Sequence, residues 1–507
     1  MIRLSRVIAI VLLVGCSILA LGRPFIPWDS WWYHLPFSSR LWNIGGGAES
    51  FHLSPLITAR WLGYPKAWEW VQGFAWAITG TLYAIIVPQL LLCAAYFAYI
   101  SRAHRIPLSW VIFAFFASPM LFIHFQATYL DLPAAICVAL GFFLLFDLLE
   151  DVRTPDRRFP WLKGAACIAS MGLAGNIKFQ ALLAVLCVCG IVGVVYLFAR
   201  DIAVRLRASL LAVLVIAALA AGLSAFRNGV VLGNPVYPLA IKVHDTLLFD
   251  GPETPDGDAH YPDYRFTSAR LISLPLPINF ILSATELDWT LRGIPSWYNI
   301  DSSAGMSFPQ RGTAGSRTGG WGGLFFITNA CLLLFQLLRL RHEPDRTQRL
   351  LVVSTLLLLA ATSAFPRSHE LRYWLYVPLV LIPVNLRYLS RHYRGAPVTA
   401  ALAFLMAYGV IHTLASPNSD LYSRRTVSVA QSRAQTPPEI AHALQSMGRY
   451  CYPTDVSSLL PEGLVADSSP FRNRSAIDSA IFRYSSAVTD LPGFISGVAA
   501  DCADAQR

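Results

Sequence analysis

Residues 129–149 read YLDLPAAICVALGFFLLFDLL, and no charged residue stands between Asp131 and Asp147. A helix of about 20 apolar residues is long enough to cross the hydrocarbon core of a bilayer. This stretch therefore predicts a membrane span that begins at an acidic residue. Ten other stretches have the same apolar character. Together they predict eleven spans, at about residues 6–22, 73–100, 108–124, 129–149, 162–176, 178–199, 208–226, 321–338, 350–365, 372–389 and 397–415.

The composition of the whole chain is typical of an integral membrane protein. Of its 507 residues, 55% are hydrophobic and only 14% are charged, whereas soluble domains carry about 25% charged residues. These figures exclude a soluble globular protein, a disordered chain and a disulfide scaffold. The formal net charge of +10 needs no nucleic-acid partner, because the cytoplasmic loops of membrane proteins collect Lys and Arg.

The basic residues between the predicted spans indicate an orientation. If eleven helices cross in turn, the basic residues fall in alternate short loops, and the positive-inside rule assigns those loops to the cytoplasm. We therefore expect a multi-pass protein of the inner (plasma) membrane, with a cytoplasmic N-terminus and an extracytoplasmic C-terminus. The residues behind this assignment are Arg3, Arg6, Arg102, Arg105, Arg153, Arg157, Arg158, Lys163, Arg200, Arg205, Arg207, Arg339, Arg341, Arg346, Arg349, Arg387, Arg391 and Arg394.

Nearly all of the predicted mass outside the membrane lies on the outer face. It consists of a first loop at about 23–72, a large loop at about 227–320 and a tail. The tail is much less apolar than the preceding chain. We therefore divide the protein into a membrane domain, 1–415, and a small extracytoplasmic domain, 416–507, for which we predict a mixed α/β fold.

The cysteines point to one disulfide. Seven of the nine lie within predicted spans, where they behave as small apolar residues. Cys451 and Cys502 lie in the outer tail, where an oxidising compartment favours disulfides. We expect these two cysteines to be joined.

Two acidic residues lie where predicted spans meet the outer face. Asp29 follows the first span, within Pro27-Trp28-Asp29-Ser30-Trp31-Trp32-Tyr33-His34, and Asp131 opens the fourth. Each has an alternative structural explanation as a helix cap, and Asp29 also stands in an aromatic belt. Both emerge at the same depth on the same face, and charged groups at such places mark function by default.

Three basic residues join them on that face. Lys178 lies at the junction of two spans, Arg227 ends the seventh and Arg372 begins the tenth. Arginine offers a planar fork that matches phosphate, whereas lysine supplies a point charge. Carboxylates and cations together suit a reaction between a lipid-linked phosphosugar and an acceptor. A carboxylate would remove the acceptor proton, and the cations would stabilise the departing phosphate.

This combination resembles the GT-C superfamily of polytopic glycosyltransferases, which use polyprenyl-phosphate sugars outside the cytoplasm. The resemblance covers about residues 5–415, and the order and common sidedness of its short motifs support it. Those motifs are Asp29 with Tyr33, Tyr129-Leu130-Asp131-Leu132-Pro133, Lys178, Gly233-Asn234-Pro235-Val236-Tyr237-Pro238, and Arg372-Tyr373 leading into Pro378 and Pro383.

The resemblance implies a role for each residue. Asp29 would be the catalytic base, and Asp131 would support it or position the substrate or a metal, so a divalent cation stays open as a cofactor. Arg372, with Lys178 or Arg227, would hold the donor phosphate. The other residues expected to contact substrate are Tyr33, His34, Tyr237, His369, Glu370 and Tyr373.

The expected function is therefore sugar transfer from a polyprenyl-phosphate donor to a glycan or glycolipid acceptor, with an all-α, GT-C-like membrane fold. Two alternatives remain at this stage. One is a polymerase or ligase of the O-antigen type, which also has many spans. The other is a transporter or flippase of lipid-linked glycans, which would place ionisable residues near the bilayer midplane.

Overall fold

The computed structural model describes residues 2–22, 30–44, 55–152, 159–197, 204–243, 246–253, 274–285, 321–393, 397–404 and 407. Most of them are helical, as predicted. Asp29, Cys451, Cys502 and the predicted domain 416–507 lie outside the described residues. The helices of the first half are α1 (Ile2–Gly22), α2 (Leu35–Leu41), α3 (Pro55–Gly63), α4 (Ala67–Thr79), α5 (Val87–Ala103), α6 (Leu108–Phe116), α7 (Pro119–Gln126) and α8 (Asp131–Asp151).

The second half continues the same architecture. A two-stranded antiparallel hairpin, β1 (Ile241–Val243) and β2 (Thr246–Phe249), interrupts the helices. The remaining helices are α9 (Trp161–Ile177), α10 (Phe179–Leu197), α11 (Val204–Ala221), α12 (Leu223–Leu232), α13 (Leu276–Thr285), α14 (Gly323–Leu338), α15 (Arg346–Ser363) and α16 (Tyr376–His392). Short π- and 3₁₀-helical turns lie at Ser30–His34, Leu82–Ile86, Leu340–His342 and Leu371–Trp374.

Within the described part of the chain, three helices are long and apolar enough to cross a membrane: Leu4–Gly22, Tyr83–Ala103 and Asp131–Asp151. Two bent helix pairs raise the number to five if each pair is one span. The other predicted spans that are described form helices too short or too polar for this criterion. The number eleven therefore remains a prediction, whereas a mostly helical structure with several apolar helices is confirmed.

Helix α8 occupies the centre of the bundle and packs against α9, α10 and α16. Nearly all of its side chains are buried. At 1.5 Å per residue its 21 residues extend about 30 Å, the thickness of a hydrocarbon core. It begins at Asp131, and near its other end Asp147 accepts a hydrogen bond from Tyr99 (2.6 Å) and Asp151 binds Lys163 (2.5 Å). The helix thus joins two polar ends through an apolar middle.

The predicted span 73–100 is two elements in the structure. Helix α4 ends at Thr79, and Gly80 follows in the left-handed conformation (φ 69°) with its N–H bonded to the carbonyl of Trp76. Such a residue terminates a helix at little cost only when it is glycine. The span itself begins at Tyr83. Helix α4 is therefore a separate element that precedes this span, and the exposed rings of its Trp70 and Phe74 stack on each other.

The predicted span 108–124 is bent by 93° between α6 and α7. Pro119 occupies the first turn of α7, because proline fits a helix start but not a helix interior. The Gln89 side-chain amide donates to the carbonyls of His124 (2.7 Å), Phe125 (3.2 Å) and Ala127 (2.9 Å) where α7 ends. One buried side chain thus contributes hydrogen bonds to the backbone oxygens at this helix end, where apolar surroundings offer no water.

A buried network of amide side chains joins α14, α15 and α16. The amide of Gln336 donates to Asn385 Oδ1 (2.7 Å), and the amide of Gln348 donates to Gln336 Oε1 (2.7 Å). Asn385 in turn donates to the carbonyl of Asn329 (2.9 Å). Buried amides are costly unless they are paired, so this network favours one relative placement of the three helices.

Candidate functional site

An ion pair joins the start of α8 to the break between α9 and α10. The Nζ atom of Lys178 lies 2.5 Å from Oδ1 of Asp131, whose side chain is only 2% exposed. Leu130, not Asp131, occupies the cap position of α8. Lys178 has an extended backbone (φ −148°, ψ 142°) between the two helices. The Asp131 carboxylate therefore binds a cation that lies between two neighbouring helices.

Arg372 lies beside this pair, between aromatic rings. Its Cζ atom is 5.5 Å from the ring centre of Tyr129 and 4.8 Å from that of Tyr373, and its Nη2 donates to the Tyr373 hydroxyl (2.9 Å). The Nζ atom of Lys178 is 4.6 Å from the same Tyr373 ring. Both cations thus meet at Tyr373. The formal charges of Arg372, Lys178 and Asp131 by themselves add up to +1.

The turn before α8 is held from several sides. The amide of Gln72 donates to the carbonyl of Thr128 (3.1 Å), and the Thr128 hydroxyl donates to that of Ser30 (2.8 Å). Ser30 is therefore next to the turn that carries Tyr129 and Asp131. Ser30 is also the residue that follows Asp29 in the chain.

His124 is a neighbour that the sequence did not single out. Its imidazole stacks on the ring of Tyr129, with 5.4 Å between ring centres and 25° between planes. Its Nδ1 atom is 2.8 Å from the carbonyl of Met120. Tyr129 thus contacts both His124 and Arg372. The sequence drew attention to Tyr129 only through the motif Tyr129-Leu130-Asp131-Leu132-Pro133, and it gave no signal for His124.

A second polar cluster adjoins the first. His34 Nδ1 lies 2.8 Å from Glu69 Oε1 in a buried pair, and the ring of Tyr33 contacts that of His34 at a tilt, with 4.2 Å between ring centres. The guanidinium of Arg60 lies 5.2 Å from the Tyr33 ring and binds Glu253 through two hydrogen bonds (2.7 and 3.2 Å). Nothing in the sequence connected Arg60 with Glu253, because they are far apart in the chain.

Tyr64 links the two clusters. Its hydroxyl donates to Glu253 (3.1 Å), and its ring meets that of Phe179 edge-on at 6.4 Å. Phe179 directly follows Lys178 in the chain. The predicted substrate residues Tyr33 and His34 therefore lie in a cluster next to the Asp131–Lys178 pair.

The remaining predicted residues lie elsewhere. Arg227 donates to the carbonyl of Leu62 (2.6 Å), and the Tyr237 carbonyl packs so closely on Gly63 that a Cβ there would lie 2.2 Å from it. Glu370 binds Arg367 (3.4 Å). Burial, and then the charge of Arg367, lower the pKa of His369 to about 4. His369 is therefore neutral at pH 7 and adds no cation to the site.

Within the described ranges, no group of three or more His, Cys, Asp or Glu residues is arranged to hold a metal ion. A metal that used Asp29 would involve a residue outside those ranges. A divalent cation as cofactor therefore stays open, as the sequence left it.

The Asp131–Lys178 pair makes a stability prediction. Lys178→Met leaves a buried carboxylate without its cation, which costs about 3–5 kcal/mol. Lys178→Met/Asp131→Leu removes both charges and should recover most of that loss. Thermal unfolding in detergent measures both effects. Donor use should be lost in both variants, because the double variant restores packing but not charge.

Lys163→Met is the matched control. It breaks the ion pair with Asp151, in which the side chain of Lys163 is 40% exposed and that of Asp151 is 18% exposed. Ion pairs in contact with solvent contribute about 0–1 kcal/mol to the free energy of unfolding. Its unfolding temperature should change little. Wild-type stability and turnover in Lys178→Met would contradict the importance of the buried pair.

Comparisons with known proteins find only distant likenesses. No family model matches the chain, and no curated protein matches it. Two solved structures are similar over 98% of this chain and 77% of their own, at 14% sequence identity. They are ArnT from Cupriavidus metallidurans bound to undecaprenyl phosphate (TM-score 0.44) and the same protein in the apo state (TM-score 0.45).

Proposed function

We propose that this chain is a membrane glycosyltransferase that moves a sugar from a polyprenyl-phosphate donor to a glycan or glycolipid acceptor at the extracytoplasmic face. The observation behind this proposal is the meeting of Arg372 and Lys178 at Tyr373, next to the start of α8. These two cations and the Asp131 carboxylate lie at the start of an apolar helix. Cations at the end of an apolar helix suit the phosphate of a lipid.

The cations hold the phosphate in different ways. Arg372 presents a planar fork to two phosphate oxygens, and Tyr129 and Tyr373 on its flanks fix its plane. Lys178 adds a point charge whose direction its bond to Asp131 restrains. As the bond between the anomeric carbon and the phosphate oxygen breaks, negative charge grows on the leaving phosphate. Cations already in place stabilise that charge without rearrangement.

The acceptor supplies the new bond. Its hydroxyl oxygen attacks the anomeric carbon, the donor loses polyprenyl phosphate, and the hydroxyl proton passes to a general base. We assign that base to Asp29, which is bonded to Ser30. Ser30, the next residue in the chain, accepts a hydrogen bond from the Thr128 hydroxyl, and Thr128 immediately precedes Tyr129. This contact of Ser30 supports the assignment.

The transporter alternative has less support. A flippase or transporter would place ionisable groups near the middle of the bilayer. In α8, the central helix, no charged residue lies between Asp131 and Asp147. The charged residues of this helix lie at its two ends and not near its middle, which favours chemistry at a membrane face over transport through the bilayer.

Lipid binding gives a direct test. Native mass spectrometry of the full chain in detergent should retain a polyprenyl phosphate but not the polyprenol of the same length. Incubation with a panel of polyprenyl-phosphate sugars should then consume one donor and release polyprenyl phosphate. Equal retention of the phosphate and the alcohol would contradict the proposed phosphate site.

A further inference from the structure

Three basic residues surround the end of α3, away from the Arg372 group. Arg40, in the last turn of α2, has its Cζ atom 5.0 Å from the ring centre of Trp61. Lys66 has its Nζ atom 5.1 Å from the same ring. Arg227, on α12, reaches the last turn of α3 at the carbonyl of Leu62. They form one basic patch around Trp61, and the residues involved are partly or fully exposed.

No ion pair with a described residue neutralises the patch. Among the residues that the structure describes, no carboxylate lies within ion-pair distance of Arg40, Lys66 or Arg227. Two other cations nearby do have acidic partners: Arg60 binds Glu253, and Lys178 binds Asp131. Within the described part of the protein, the patch therefore carries unpaired positive charge.

Lys66 and Arg227 have more N–H donors than they have hydrogen bonds to described residues. Lys66 Nζ donates to the carbonyl of Tyr64 (2.9 Å), and Arg227 Nη1 donates to the carbonyl of Leu62 (2.6 Å) and to Asn228 (3.2 Å). An ammonium has three N–H donors and a guanidinium has five. The carbonyls hold the two side chains in place, and further donors remain for an anion.

The electrostatics of Lys66 agree with this reading. Burial lowers the pKa of Lys66 to about 8; Glu69 opposes the shift, and Arg227 adds to it. The charge of Arg227 is therefore felt at Lys66. A bound anion would relieve this repulsion and favour the protonated amine.

A chain of contacts leads from the patch to the proposed catalytic group. Lys66 touches the carbonyl of Tyr64, and the Tyr64 ring touches Phe179, the neighbour of Lys178. We propose that Arg40, Lys66 and Arg227 form a subsite for an acidic glycan, whose carboxylate or phosphate binds beside Trp61 while its hydroxyl faces the donor. Calling this glycan the acceptor rests on the proposed function, but its binding does not.

Direct binding tests the subsite. Microscale thermophoresis with the full chain at low ionic strength would compare tetragalacturonate with a neutral galactose tetrasaccharide. Wild type should bind the acidic probe and not the neutral one. Arg40→Gln/Lys66→Gln should bind it roughly tenfold more weakly, because two cations are lost. Arg102→Gln, which removes an exposed arginine from the end of α5, should bind like wild type.

The pH dependence gives a second readout. Galacturonate carboxylates stay ionised between pH 7 and pH 9, whereas Lys66 loses its proton as pH rises through about 8. Wild-type affinity should therefore fall over this interval. In Lys66→Gln the fall should be absent. The melting temperature of each variant shows whether it is folded.

The outcomes separate the sources of the anion. Equal affinity for the acidic and neutral probes, or equal losses in Arg102→Gln and the double variant, would overturn the subsite. So would a double variant that loses binding to phosphatidylglycerol vesicles but keeps wild-type affinity for tetragalacturonate, since the patch would then serve lipid headgroups. Normal galacturonate binding without sugar transfer would reject the proposed function alone.

Discussion

Asp29→Asn should slow sugar transfer by roughly 10²–10⁴-fold, the usual loss when a general base is removed. Asparagine keeps the size of the side chain and much of its hydrogen bonding, but it has no basic oxygen. Donor affinity should change little, because the phosphate is assigned to Arg372 and Lys178. Single-turnover kinetics with a saturating polyprenyl-phosphate sugar separate the chemical step from binding.

The alternative explanation of Asp29 makes the opposite prediction. As a helix cap, Asn is about as good as Asp, so the substitution would be nearly silent. Asp250→Asn is a matched control, since this exposed residue accepts a hydrogen bond from the N–H of Gly251 (2.8 Å), and Asn also makes that contact. Near-normal turnover in both variants would show that Asp29 is not the catalytic base. The helix cap within an aromatic belt would then be the better explanation of this residue.

Arg372→Ala should weaken donor binding roughly 10- to 100-fold, the range expected when hydrogen bonds to a charged group are lost. Arg372→Lys should restore only part of it. Lysine keeps the charge but lacks the planar fork, and it makes poorer contacts with the rings of Tyr129 and Tyr373. Titration with a polyprenyl phosphate, followed by native mass spectrometry, measures the effect.

Arg339→Ala provides the control for charge and stacking. Arg339 is an exposed arginine whose Cζ atom lies 4.7 Å from the Phe335 ring, in a loop predicted to be cytoplasmic. Its removal should leave donor binding as it is. If Arg372→Ala and Arg339→Ala bind the lipid phosphate equally well, Arg372 is not part of the donor site.

Long uncharged runs in the sequence predicted the helices well. The breaks and bends within those runs were not predicted. Residues 129–149 form α8 with a shift of two residues, since nothing polar competes inside the run. Average hydropathy is blind to a single Gly80 in the left-handed conformation, so the span 73–100 was drawn through the end of α4. In span 108–124, Ser118-Pro119 was the available signal for the bend of 93°.

For the site, residue types were predictable and partners were not. A lysine at the junction of two apolar spans and an acid at the start of another both stand out in the sequence. Their pairing does not, because Asp131 and Lys178 approach only when α8 and α9 pack together. The Arg60–Glu253 and His34–Glu69 pairs have the same cause. The roles of the site residues, and the disulfide between Cys451 and Cys502, remain predictions.

The buried amides of Gln336, Gln348 and Asn385 bear on how deep a lipid phosphate can sit. Arg372 precedes α16, about 20 Å along the axis from Asn385. A slip of α16 by one turn would displace Arg372 by about 5.4 Å, enough to break its contacts with Tyr129. The same slip would leave several of these amide groups without hydrogen-bond partners in an apolar interior. The position of Arg372 along the axis of α16 is therefore fixed by polar groups farther along the same helix. Replacing those groups with leucines would make that position less well defined, even if the bundle stayed folded.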